Sequence, residues 1–170
     1  MTVGWFQRFA LLGLCVLAGW SWGCASPVGS AATGRISLAE AGDPARRASN
    51  RLVVEGLDAD AAGARARARS RYQRAVQIDA SNPFAQLALA RHCLEIGDPT
   101  LAISHLDHAE LLFDSELELR RSFEAHVVGL RGLAERELDP PNGGDALLEE
   151  ARRASPQIWG DAWLDAQELR

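Results

Sequence analysis

A spacing of 34 residues recurs inside the chain and constrains its fold more than any other sequence feature. Four small residues are each followed, 34 positions later, by another small residue, and Tyr72 is followed by the large apolar Leu106. A fixed period in this range is typical of an architecture built from repeated units. The small pairs are Gly56 and Ala90, Gly63 and Gly97, Ala68 and Ala102, and Ala75 and Ala109.

Residues that start and stop helices lie at the junctions between the copies. Asn82-Pro83 precedes one predicted helix and Gly97-Asp98-Pro99 precedes the next. The Asn and Asp side chains can cap free backbone N–H groups, the prolines suit a first helical turn, and Gly97 tolerates the left-handed turn that ends a helix. The sequence therefore predicts short helices that are joined by tight corners.

This period, with its small residues and capped prolines, resembles the tetratricopeptide repeat family over roughly residues 49–158. In that family, small residues lie where two antiparallel helices cross and a large residue lies between them. The resemblance implies an all-α fold, a short α-solenoid of about three helical hairpins with a C-terminal capping helix.

The third copy is displaced by eight residues relative to the period. We expect this excess to lengthen its first helix over residues 115–138, while the loop at 139–144, with two Pro and two Gly, cannot continue that helix. Its second helix is expected from Asp145 to Ala154. The residues found 42 positions after their counterparts are Gly132, Gly144, Leu148 and Ala151.

The last residues, 156–170, are predicted to form one helix that begins at Ser155-Pro156. Its apolar stripe suits a cap over the last open face of a solenoid, and an aromatic hot spot for a partner is the alternative. The stripe consists of Ile158, Trp159, Ala162, Trp163 and Ala166.

The first 23 residues are typical of a targeting segment. An apolar run from Phe9 to Trp20 follows Arg8 and is shorter than a membrane-spanning helix requires. Gly23-Cys24 follows, and this arrangement resembles a bacterial lipoprotein signal, in which the Cys after a small residue becomes the lipidated N-terminus. The resemblance implies a signal peptide over residues 1–23 and a lipid anchor at Cys24. An ordinary cleaved secretory signal and an uncleaved N-terminal anchor remain alternatives, and all three export the body.

Residues 24–48 are rich in Gly, Ala, Ser, Thr and Pro and lack a sustained apolar period, so we expect a flexible tether. The body would then stand off a membrane surface at the bacterial cell envelope. We expect the outer membrane, with the body in the periplasm.

Several kinds of catalytic site are excluded or find no motif. The chain contains no Lys, which excludes a P-loop, a Schiff-base Lys and a Ser-Lys dyad. No Gly-rich phosphate loop, nucleophile elbow or convergent carboxylate pair is present. Cys93 is the one cysteine of the exported body and is expected to be a buried small hydrophobe. We therefore expect a non-enzymatic protein without a cofactor.

Two histidines supply the rival hypothesis of a metal-binding protein or metal-dependent enzyme. His105 and His108 are three residues apart on one helix surface and could share a metal. A zinc site needs a third ligand and usually a fourth, whereas His92 and His126 are elsewhere in the repeat and no HExxH pattern is present. We expect a solvated face or a repeat junction in this region, and no metal.

Charge is segregated along the chain. Five Arg and no acid lie between positions 61 and 78, whereas positions 95–150 hold fourteen acids and four Arg. Arg67, Arg71 and Arg74 share one helix face, which is either a solvated face or a basic patch for an acidic partner or anionic headgroups. We expect no nucleic-acid partner, because the net charge is −5 and few aromatic residues could stack on bases.

These expectations together favour a scaffold or adaptor that binds a protein or peptide in the groove formed by the first helix of each repeat. An accessory subunit of an envelope machine, of the pilotin or assembly-factor type, is the alternative within this class. By resemblance to the repeat family, the groove positions are Phe84, Leu87, Arg91 and Glu95 in the second repeat and Leu133 and Arg136 in the third.

Overall fold

The computed structural model describes residues 42–113, 117–140 and 143–169. Over these residues the protein is all-α as predicted, with seven helices and no strand. Within the same ranges, no helix is both long enough and apolar enough to cross a membrane. The helices are α1 (Pro44–Ala61), α2 (Arg65–Ile78), α3 (Pro83–Glu95), α4 (Pro99–Leu112), α5 (Leu117–Leu138), α6 (Asp145–Ala154) and α7 (Pro156–Trp159).

The first six helices pack as three successive pairs, α1 with α2, α3 with α4 and α5 with α6. Each pair also contacts the next, through α2 against α3 and α4 against α5. In addition, α1 contacts α3 and α3 contacts α5. The first helices of the three pairs therefore lie side by side and form one layer.

The helix starts confirm the predicted caps. The Asn82 side chain accepts a hydrogen bond from the Phe84 backbone N–H at 3.0 Å, and Asp98 accepts one from the Leu101 N–H at 3.0 Å. Both satisfy N–H groups that have no partner inside the helix. Gly97 adopts a φ of 79°, the left-handed conformation that the sequence predicts at this corner.

Helix α1 begins earlier than the sequence indicates, at Pro44, so it includes the last residues assigned to the tether. Asp43 caps it by accepting from the Arg46 N–H at 2.8 Å, and the Arg46 guanidinium forms an ion pair with Asp79 at the end of α2. This ion pair, between residues 33 positions apart, holds the start of α1 against the end of α2, although the first residues of α1 lack an apolar period. The predicted signal peptide, the Cys24 anchor and most of the tether lie outside the described residues.

Small residues meet large ones where paired helices cross. A Cβ on Gly56 would stand 2.3 Å from the Tyr72 ring, and a Cβ on Gly132 would stand 3.0 Å from Leu148 and 2.9 Å from the Gly144 carbonyl oxygen. Such distances leave no room for a side chain at either glycine. The first and third pairs therefore cross at corresponding residues, since Gly132 and Leu148 are the counterparts of Gly56 and Tyr72 once the eight extra residues of the third copy are counted.

The long first helix of the third pair also follows the prediction. Helix α5 continues to Leu138 and α6 begins at Asp145. Gly144 before α6 has a φ of 80°, which favours glycine at this position. Its backbone lies so close to α5 that a Cβ would stand 1.9 Å from the Gly132 carbonyl oxygen, so the loop is pressed against the helix.

The prediction of a single helix over residues 156–170 is wrong. Helix α7 ends at Trp159, and turns and irregular backbone follow to residue 169. The Asp161 side chain accepts from the Trp163 N–H at 3.1 Å, a local bond that competes with helical pairing. Ala162 has a φ of 59°, which breaks the helix. Of the apolar stripe, Trp159 and Ala166 are buried, and Ile158, Ala162 and Trp163 are half-buried against the core.

The crossing of α3 and α4 can be tested by overpacking at Ala102, which is fully buried. We expect Ala102→Leu to lower the free energy of unfolding by roughly 1–3 kcal/mol, because the added carbons enter a packed contact. Urea unfolding followed by circular dichroism measures this change.

The matched control is Ala66→Leu at an exposed position of α2, for which we expect a change within about 0.5 kcal/mol. Equal effects of the two substitutions would contradict the crossing.

Candidate functional site

The predicted groove positions do not form an open surface. Leu87, Arg91 and Leu133 are 1%, 4% and 3% exposed. Phe84 and Glu95 are half-buried, and Arg136 is exposed. Three of the six predicted positions are therefore buried, and one is exposed.

Residues 160–169, here named the C-terminal segment, contact this layer at Arg91. Just before it, Trp159 lies directly on α5, since a Cβ on Gly129 would stand 2.3 Å from its ring. Farther along, the carbonyl oxygen of Leu164 accepts a hydrogen bond from Arg91 Nε of α3 at 3.0 Å. The chain thus runs from α5 to α3 across the first-helix layer. The buried side chains of the segment are Leu164, Ala166 and Leu169.

Arg91 belongs to a buried polar network that joins three helices. The Asp60 carboxylate, near the end of α1, accepts from Tyr72 Oη of α2 at 2.9 Å and from Arg91 Nη1 at 3.1 Å. His92 Nδ1 lies 2.9 Å from the same carboxylate. Because an ionised carboxylate only accepts hydrogen bonds, this ring nitrogen carries a proton. These side chains are at most 5% exposed, so we name Asp60, Tyr72, Arg91 and His92 the buried network.

Arg91 also pairs with a second carboxylate, which lies outside the buried network. Arg91 Nη2 donates to Glu95 at 3.0 Å, and Arg65 lies 3.5 Å from the same carboxylate at the protein surface. Burial, and then the charge of Asp60, raise the pKa of Tyr72 far above its ordinary value, so its hydroxyl stays a donor. The five N–H donors of a guanidinium lie in one plane and point in different directions within it. Arg91 can therefore hold two carboxylates and still reach a main-chain carbonyl.

The histidine pair proposed for a metal is engaged differently. His105 Nδ1 lies 2.8 Å from the Gln86 side-chain oxygen, while His108 is exposed. Burial, and then the neighbouring His108, lower the pKa of His105. No cluster of three or more His, Cys, Asp or Glu side chains suited to a metal occurs in the described part of the chain.

The arginines of the predicted basic patch are on the outer surface of α2, with Arg67 and Arg74 exposed. Arg71 forms an ion pair with Glu55 of α1 at 3.2 Å, and Arg74 donates to Gln77 at 3.0 Å. One of the three charges is thus offset by a neighbouring acid. This surface is separate from the layer that the C-terminal segment contacts.

Two buried polar atoms lie where α7 packs on α5. His126 Nδ1 and Trp159 Nε1 have no hydrogen-bond partner among the described residues. Their ring centroids are 6.4 Å apart, and burial lowers the pKa of His126 to about 4. Both groups are left unsatisfied at this contact, which is unfavourable in a protein interior.

A separate hollow of about 380 Å³ lies between α5 and α6. Side chains of both charge signs line it, including Arg121, Glu124 and Glu150, together with Ser122 and Ser155. Its walls do not include any member of the buried network.

Sequence reasoning missed the role of Asp60 and His92. Their partners are 12 to 32 residues away, so no short motif indicates the network. An acid near the end of an amphipathic helix was the available signal, but it is equally typical of a solvated helix end. Cys93 is buried as expected, and this burial raises the pKa of its thiol to about 11.

Comparison with known protein families, with curated proteins and with solved structures finds no match to this chain. The likeness to tetratricopeptide repeats therefore depends on the residues and contacts described above.

The free energy of unfolding should fall as the pH decreases from 6.5 toward 4. In this window the unfolded chain binds a proton at His126 that the folded chain does not, because burial lowers the pKa of His126 from 6.5 to about 4. The shift corresponds to about 3 kcal/mol. Urea unfolding across the window should show that His126→Leu removes this part of the pH dependence.

The exposed His108 provides the matched control, since His108→Leu leaves His126 in place and should retain the slope. An unchanged slope in His126→Leu would contradict the assignment.

Proposed function

We propose that this protein is a non-catalytic scaffold or adaptor at the bacterial cell envelope that binds a peptide segment of another protein. The binding site is the layer formed by α1, α3 and α5, and the architecture is a short solenoid of three tetratricopeptide-like hairpins. The observation that carries the proposal is the irregular C-terminal segment, whose main chain accepts a hydrogen bond from Arg91 on that layer.

Recognition through main-chain groups suits a site that receives peptides. A carbonyl oxygen is present in every peptide whatever its sequence, so Arg91 Nε provides affinity, and apolar contacts with residues such as Leu87 and Leu133 provide selectivity. The buried network favours this role because Asp60 and Glu95 fix the guanidinium in one orientation. A donor that is held in place before binding loses less conformational freedom when a partner arrives.

The solenoid interpretation is supported by the contacts between successive helix pairs. Three hairpins lie in order, and their first helices form one layer. Two of the three crossings use a glycine against a large side chain, Gly56 with Tyr72 and Gly132 with Leu148. A short solenoid needs its terminal hydrophobic face covered, and Trp159 covers part of α5.

The groove can be tested by site-specific photocrosslinking in envelope preparations. A photoreactive phenylalanine analogue at the half-buried Phe84 preserves the aromatic ring at a groove position. We expect it to crosslink a defined partner protein. The matched control is the same analogue at Leu111 on α4, which is 83% exposed and lies outside the layer. No product at Phe84, or the same products at both positions, would contradict the proposal.

The envelope address is proposed from the targeting segment and Cys24, with the lipid as the membrane anchor. We expect Cys24→Ser to move the protein from the membrane fraction to the soluble periplasmic fraction, or to accumulate as an unprocessed precursor. Fractionation and mass spectrometry of the N-terminus measure both results. Unchanged membrane association of the variant, with an unprocessed N-terminus in the unsubstituted protein, would instead favour an uncleaved anchor.

A further inference from the structure

The C-terminal segment has two properties that differ from those of a permanent core element. It lacks regular structure, and its hydrogen bonds are largely made within itself, such as the Glu168 N–H to the Asp165 carbonyl at 3.1 Å and the Asp165 N–H to the Glu168 carboxylate at 2.8 Å. Yet its buried side chains belong to the same apolar core as Leu87 and Leu133 of the layer that contains the predicted partner positions. Its main-chain link to that layer is the bond from Arg91 to Leu164.

The docked state also carries unfavourable features. Ala162 has a φ of 59°, a left-handed conformation that strains a residue with a Cβ. Next to the segment, where α7 packs on α5, His126 Nδ1 and Trp159 Nε1 are buried without partners in the described part of the chain. These features weaken docking relative to a segment that fits without strain. A better-fitting occupant could therefore replace the segment while the three helix pairs stay folded.

We propose that the C-terminal segment is an internal competitor that occupies the partner site, and that a partner peptide of the same chemistry displaces it. This inference rests on the proposed function and adds both the partner's chemistry and a means of regulation. Because the segment is part of the same chain, its effective concentration at the site is high. A partner then binds only the fraction of molecules in which the segment is undocked.

The segment indicates what the partner peptide contains. Its buried side chains are Leu164, Ala166 and Leu169, whereas Asp165 and Gln167 between them are exposed. The site therefore fits an irregular peptide with an aliphatic residue, a small residue two positions later and an aliphatic residue three positions after that. Polar or acidic residues in between face solvent. A main-chain carbonyl at the first aliphatic residue accepts the bond from Arg91.

The test uses the full chain and a fluorescently labelled synthetic peptide with the sequence of residues 160–169 (GDAWLDAQEL). Leu164→Asp places a charge at a fully buried position of the segment and should undock it. We expect this variant to bind the peptide at least about tenfold more tightly than the unsubstituted chain, which corresponds to a segment that is docked about 90% of the time. Fluorescence anisotropy measures both affinities, and circular dichroism checks that the helices are retained.

Gln167→Asp is the matched control, because it introduces the same side chain at an exposed position of the segment. We expect it to bind the peptide as weakly as the unsubstituted chain. Equal affinity of all three proteins, or no binding to any of them, would overturn the proposal. If partner crosslinking at Phe84 still occurs in that case, the groove function stands and the internal competitor alone is rejected.

A second measurement applies if Leu164→Asp fails to fold. Hydrogen exchange on the unsubstituted chain compares amides of the C-terminal segment with those of α3. We expect the segment to exchange at least about tenfold faster, because it opens locally while the helix pairs stay folded. Equal rates for the two sets would mean that the segment leaves only on global unfolding, and would reject the proposal.

Discussion

The ion pair between Asp60 and Arg91 is the interaction on which the rest of this structure depends. It connects α1 to α3 at a distance of 3.1 Å, and both side chains are almost completely buried. Tyr72 and His92 also contact the carboxylate, and Leu164 accepts from the guanidinium. Removing Asp60 would leave Arg91 with Glu95 as its carboxylate partner, and removing Arg91 would leave the Asp60 charge buried without a guanidinium; breaking a buried pair in this way typically costs about 3–5 kcal/mol. Two hairpins and the C-terminal segment are therefore joined at one point.

The position of this ion pair also explains how structure and proposed function are related. The small-residue crossings lie within the helix pairs, as where Gly56 of α1 meets Tyr72 of α2, whereas the buried network joins α1 to α3. This buried network fixes the register of α1 against α3 more strictly than apolar contacts alone would. The same guanidinium faces the layer where a peptide would lie. Thus one group both stabilises the hairpins and presents a donor to the main chain of the occupant.

The helical character and the pairing of successive helices could be predicted because their determinants are local or periodic. The caps at Asn82 and Asp98 and the crossing of Gly132 with Leu148 follow from residue type and spacing. The start of α1 was missed although Asp43-Pro44 is a cap signal of the same kind, because the residues after it lack an apolar period; the pairing of Arg46 with Asp79, 33 residues away, holds them in place. The end of α7 was missed because the apolar residues after Trp159 are compatible with a helix and equally with an irregular buried segment.

The predicted groove positions belong to the first helices of their pairs, but their burial was not foreseen. Leu87, Arg91 and Leu133 are buried, and the chain's own C-terminal segment contacts Arg91. Periodicity identifies which face of a helix is shared, and it contains no information on which segment covers that face. The choice among possible covers depends on contacts between residues as distant as Arg91 and Leu164, 73 positions apart.

A double-mutant cycle on Asp60 and Arg91 tests whether this buried ion pair joins the first two helix pairs. Asp60→Leu, Arg91→Met and the double variant are compared by urea unfolding. We predict that each single substitution lowers the free energy of unfolding by about 3–5 kcal/mol, and that the double variant loses no more than the worse single one, because neither charge is then left alone. Losses that add to within about 0.5 kcal/mol would show that the two residues act independently, and would contradict the account.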